Sequence, residues 1–163
     1  MFRNIHNFLS NLNKIPFILL MTIISFLITI PLNLFLPPSQ ANPSINESII
    51  EHILLVLIIA PFLETLLFQK VLFFILQLSS YISERNILTI LIASIIFGLT
   101  HQFDITYIAA ATLMGIVFNY SYSIYQEKNY NDPKSMSAFW IVFWIHELHN
   151  TIAFLIIEFG QKL

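Results

Sequence analysis

Long apolar runs constrain this chain more than any other feature. A helix needs about 20 apolar residues to cross the roughly 30 Å hydrocarbon core of a bilayer. The runs from Ile15 to Leu36, Ser48 to Ser79, Ile105 to Tyr125 and Ser137 to Phe159 all reach that length. A fifth run, from Ile87 to about His101, is shorter and reads as a tilted span or one capped by its neighbours. Backbone groups in lipid must pair within their own segment. The predicted fold is therefore all-α, a polytopic transmembrane helix bundle of about five spans. Composition agrees: of 163 residues 57% are hydrophobic and 10% charged, with mean hydropathy +0.79. That is too little charge to cover a soluble domain of this size.

Polar connections punctuate the runs. Pro37 and Pro38 close the first span, and "NPSINES" (Asn42 to Ser48) reads as a loop ending in a helix N-cap. "SSYISERN" and "QEKNYNDPKS" supply the other polar links. Residues 1–47 are expected to form an N-terminal membrane helix and outer loop, and residues 48–163 the core. Arg3, Lys14, Arg85, Lys128 and Lys134 fall on one side of the predicted topology, while Pro37 to Asn46 carries no positive charge. By the positive-inside rule the N-terminus is cytoplasmic. The first apolar run exceeds the 7 to 15 residues of a signal-peptide core, so a retained anchor is expected despite "SQA" at Ser39 to Ala41. Short loops fit an integral protein of the bacterial cytoplasmic membrane. A net charge of −2 with scattered Lys and Arg argues against a nucleic-acid partner. No cysteine is present, which excludes a disulfide framework, a thiol nucleophile and a Cys-based zinc site.

Several polar residues sit where hydrocarbon should exclude them. "FWIHELHNTIAF" (Phe143 to Phe154) places His146, Glu147, His149 and Asn150 inside an apolar run. "APFLETLLFQK" places Glu64 mid-span with Thr65 and Gln69 nearby, and "IIFGLTHQFD" ends a span at His101. Ionisable groups at bilayer depth mark functional sites by default. At 1.5 Å per residue, Glu64, His101, His146 and Asn150 lie roughly 14 to 22 Å from the predicted cytoplasmic ends of their helices. They share one layer on three helices. Asn150 follows His146 by four residues and projects from the same face. Gly98, three residues before His101, allows another helix to come close. A buried glutamate beside imidazoles can act as general base, and His and Asn donors can stabilise an oxyanion. Together they form a parts list for hydrolysing a carbonyl bond with activated water.

"ETLLFQ", "FGLTH" and "HELHN" resemble, in order, the three motifs of the CPBP family of CAAX proteases and bacteriocin-processing enzymes, also called Abi. These run E-E-x-x-x-R, F-x-x-x-H and H-x-x-x-N on successive membrane helices. Phe97 with His101 and His146 with Asn150 match in full, and "LMGIVFNYSY" (Leu113 to Tyr122) is similar to the family's small-residue helix. The resemblance covers about Ile49 to Phe159 and implies an intramembrane glutamic endopeptidase. On that footing Glu64 and His101 activate the attacking water, while His146 and Asn150 bind the oxyanion, with no metal or other cofactor. Its substrate is a peptide or protein, membrane-associated in some members. Family activities include C-terminal processing of prenylated proteins, bacteriocin maturation and self-immunity. Motif one departs: Thr65 replaces the second glutamate and Gln69 the arginine. Breaking a buried ion pair by removing one partner costs roughly 3 to 5 kcal/mol, whereas replacing both partners can be neutral. Thr65 and Gln69, four apart, are expected to hydrogen-bond on one helix face and support the site. His149 is a further supporting candidate.

Two other readings fit the same residues. Glu64, His101 and His146 have the two-His, one-Glu composition of some catalytic zinc centres. The contiguous H-E-x-x-H zinc pattern fails, because position 150 is asparagine. The other reading is a catalytically inactive immunity or scaffold protein that uses these groups for helix association. Trp140, Trp144 and Tyr125 read as interfacial anchors or packing. Glu147 has no role in the family pattern.

Overall fold

A computed structural model describes residues 2–39 and 49–160. The expected N-cap loop at Asn42 to Ser48 lies outside the described residues. Among those described there is no strand, and helices α1 (Phe2–Asn11), α2 (Lys14–Leu27), α3 (49–77), α4 (Ser80–Ser83), α5 (Asn86–Leu99), α6 (Ile105–Asn131) and α7 (Ala138–Gly160) make an all-helical polytopic bundle. Among the described residues, four stretches are long and apolar enough to cross a membrane: Lys14–Leu32, Leu54–Gln77, Ile105–Asn131 and Ala138–Ile157. Helix α5, at 14 residues, is shorter.

Helix ends follow local chemistry. The first span was expected to continue to Leu36, but α2 stops at Leu27 and a 3₁₀ turn, Ile30–Leu34, follows. Pro31 has no N–H and its ring collides with the carbonyl four residues back, so the α-helix cannot pass it. Helix α5 ends at Leu99, leaving His101 in the turn beyond rather than on the helix. Asp104 caps α6, its Oδ1 accepting from the Tyr107 N–H at 2.8 Å. Helix α6 runs six residues past the expected Tyr125. That extension carries Lys128 to α1, where its ammonium donates to the carbonyls of Ser10 (3.2 Å) and Leu12 (2.9 Å). It supplies acceptors at a helix C-terminus with a charged donor.

Packing brings α5 and α6 closest. A Cβ on Gly98 would come within 2.9 Å of the Ile108 carbonyl, and one on Gly115 within 3.0 Å of the Phe97 ring. Only glycine lets these backbones approach so far. Polar contacts reinforce the pair: Asn119 donates to Ser94 Oγ at 3.0 Å, and Asn86 donates to Ser123. Helix α2 packs on α7 and α6, with the Phe17 ring edge-on to Tyr125 at 4.8 Å. Tyr125 is buried packing, whereas Trp140 and Trp144 are about half exposed on the outside of α7.

Candidate functional site

Helix α3 departs from α-geometry twice. Leu54–Ile59 and Thr65–Val71 are π-helical, with the Ala60 N–H donating to the Leu55 carbonyl and the Leu72 N–H to that of Leu67. Such i→i−5 segments are rare and concentrate at functional sites. Glu64 sits at the junction before the second. The first has a clear consequence. The Val56 carbonyl would ordinarily take the N–H four or five residues on. Ala60 has given its N–H to Leu55, and Pro61 has none. Asn150 fills the gap, its amide nitrogen donating to the Val56 oxygen at 2.9 Å.

Glu64 lies between two imidazoles. Its Oε2 is 3.7 Å from His101 Nε2 and 3.6 Å from His146 Nε2. These separations are slightly longer than direct hydrogen bonds. A quarter of the Glu64 side chain is exposed, against 6% for His146. The cluster therefore has one accessible edge and a dry floor. His101 Nδ1 is 2.8 Å from the Phe97 carbonyl, which can only accept, so Nδ1 carries the proton. In the neutral ring Nε2 then presents a lone pair towards Glu64. His146 Nδ1 is buried without a partner among the described residues, and Phe118 lies against the ring at a centroid distance of 4.6 Å. An unmatched buried N–H is less tolerable than an unmatched acceptor. The His146 proton is therefore better placed on Nε2, on the Glu64 side.

Phe97, matched in the sequence only as part of a motif, organises the cluster. Its ring meets Phe68 (5.4 Å), His101 (4.6 Å) and His146 (6.1 Å), while its carbonyl holds His101. The remaining expected residues lie elsewhere. Thr65 and Gln69 are fully buried, yet Thr65 Oγ1 and both polar atoms of Gln69 lack a hydrogen-bond partner among the described residues. The expected bond between them does not form. Helical side chains lean towards the N-terminus, so short Thr65 cannot reach forward, and Gln69 would have to span a turn widened by π pairing. His149 faces α2: its Nδ1 is 2.7 Å from Ser25 Oγ, whose own proton goes to the Thr22 carbonyl. The Phe26 ring stacks on His149 at 4.0 Å. Glu147 accepts from Thr151 Oγ1 at 2.8 Å, a bond within α7.

Sequence reasoning missed Val56, Pro61, Phe118 and Ser25. Pro61 inside an apolar helix was the available signal. No group of three or more His, Cys, Asp or Glu among the described residues is arranged to hold a metal ion.

A family model described as type II CAAX prenyl endopeptidase, Rce1-like, matches residues 46–152. No curated protein and no solved structure matches the chain.

Proposed function

Because the chain belongs to the Rce1-like family of type II CAAX prenyl endopeptidases, we propose that it is an integral-membrane endopeptidase using water activated by Glu64 and His101. One observation carries the reading: a single carboxylate oxygen lies 3.6 to 3.7 Å from two imidazole nitrogens, one of which presents a lone pair. Glu64 as carboxylate and His101 Nε2 are both acceptors, and a water donating to each satisfies both. Its oxygen attacks the peptide carbonyl carbon while its proton passes to Glu64. The tetrahedral oxyanion accepts from His146 Nε2–H and from the Asn150 N–H not committed to Val56. Collapse breaks the C–N bond as the proton moves to the departing amine. No metal takes part in this scheme. Thr65 and Gln69 occupy the places of the family's second Glu and Arg.

The lysine-bearing ends of α2 and α6, together with Lys134, face the cytoplasm in this proposal, and the membrane is the bacterial inner one. The substrate is a peptide or protein reaching the site from the membrane surface. Purified protein with a prenylated peptide carrying three residues beyond the modified cysteine provides the test. Release of the tripeptide, unaffected by chelator and abolished by Glu64→Gln, supports the proposal. Chelator-sensitive release would favour the zinc reading. The unpaired polar atoms of Thr65 and Gln69 favour one rival, an inactive membrane immunity or scaffold relative. That rival predicts no cleavage and full biological function after Glu64→Ala.

A further inference from the structure

Two adjoining cavities open on the face where α2 begins and α6 ends, lined by none of Glu64, His101, His146 or Asn150. The outer one, about 510 Å³, has Lys14, Lys128 and Lys134 in its wall with Asn13 and Ser135. The inner one, about 280 Å³, lies between Ile15, Ile18 and Leu19 of α2 and Trp144 and Leu148 of α7. Lys14, Ile15 and Met136 border both, so the polar mouth opens directly onto the apolar groove.

Among the described residues, no carboxylate lines either cavity. The ion pairs among them all involve histidine, so none of the three lysine ammonium groups is ion-paired; the Asp132 carboxylate accepts from the Lys134 backbone N–H at 3.1 Å. Lys128 is held by neutral groups, the carbonyls of Ser10 and Leu12 and the ring of Tyr125 at 5.2 Å, which leave its charge uncompensated. The groove follows the membrane-spanning direction. Ile15, Ile18 and Leu19 share one face of α2, and Leu148 lies ten residues, roughly 15 Å, beyond the start of α7. A free phosphate would satisfy the cations and leave the groove unfilled. A molecule with a phosphate at one end and a hydrocarbon chain at the other satisfies both, and basic pockets between membrane helices bind such head groups.

We propose that the joined cavities bind an anionic phospholipid, its phosphate among Lys14, Lys128 and Lys134 and one acyl chain along the groove between α2 and α7. The lipid fastens α2 to the helix that carries His146 and Asn150, on the same pair of helices as the Ser25–His149 contact.

Trp144 borders the groove and is one of two tryptophans. Trp140→Phe in the full chain makes it the sole indole reporter. This protein is reconstituted in phosphatidylcholine bilayers containing phosphatidylglycerol, with bromine on the chains of one lipid or the other. Brominated phosphatidylglycerol quenches Trp144 at a lower mole fraction than brominated phosphatidylcholine. Lys14→Gln with Lys134→Gln weakens that preference about fivefold per lysine, leaving quenching by phosphatidylcholine unchanged. The paired Lys→Arg substitutions retain it. Equal quenching by the two lipids, or a preference that survives both Gln substitutions or is lost in the Arg pair, overturns the proposal. So does a preference erased by inorganic phosphate but not by chloride at the same ionic strength, since the pocket then takes a free anion.

Discussion

Removing the Asn150 amide should expose a backbone defect that Pro61 creates. Asn150→Ala deletes the donor 2.9 Å from the Val56 carbonyl. Polar contacts between membrane helices average only about 0.6 kcal/mol, because the separated helices find other partners. Val56 has no such alternative within its helix: Ala60 donates to Leu55, and residue 61 is proline. The full penalty for an unsatisfied acceptor, about 1 to 3 kcal/mol, is therefore expected. Adding Pro61→Ala supplies an N–H five residues after Val56, continuing the i→i−5 pairing already present. It should recover most of that loss. The assay is reversible unfolding by SDS in mixed micelles, followed by far-UV circular dichroism, for both single variants and the double. A coupling of at least about 1 kcal/mol is expected. Additivity within about 0.5 kcal/mol, the behaviour of independent sites, would refute the argument that Asn150 replaces a missing backbone donor.

Other consequences are equally checkable. Gly98→Ala forces a methyl against the Ile108 carbonyl and should cost about 1 to 3 kcal/mol, read in the same unfolding assay. Gln69→Leu should be neutral or stabilising, because it removes buried polar atoms that have no partner among the described residues; a loss above about 2 kcal/mol would mean that Gln69 is hydrogen-bonded. Ser25→Ala strips the acceptor from His149 and should destabilise by about 1 to 3 kcal/mol, with turnover per folded molecule little changed. Lys128→Met should speed hydrogen exchange in α1 and leave exchange in α5 alone, since the Lys128 ammonium donates to the carbonyls at the end of α1.

The membrane helices were legible because a span's length and hydropathy are fixed by the bilayer rather than by neighbours. Helix α1 was not, since ten amphipathic residues leave no hydropathy signal of a span. The neighbourhood of Glu64, His101 and His146 was readable from depth along three helices and from motif order. The backbone partners of His101 and Asn150 were hidden. His101 is held by a backbone carbonyl one turn back, and a carbonyl carries no sequence signature. Asn150 meets an oxygen exposed by a one-residue shift in hydrogen bonding, whose trace in the sequence is Pro61. His149 pairs with Ser25 on α2, outside the segment that resembles the family. The expected Thr65–Gln69 bond rested on α-helical spacing, and the π segment removed that premise.

Steady-state hydrolysis of the prenylated peptide by folded Glu64→Gln protein, against the parent, tests whether Glu64 is the base. General base catalysis is worth about 10² to 10⁴ in rate. In Glu64→Gln, kcat should fall at least a hundredfold, with KM within a few-fold of the parent value and the same unfolding midpoint. Turnover within tenfold of the parent would contradict it, because Glu64 could not then be the base that activates the water.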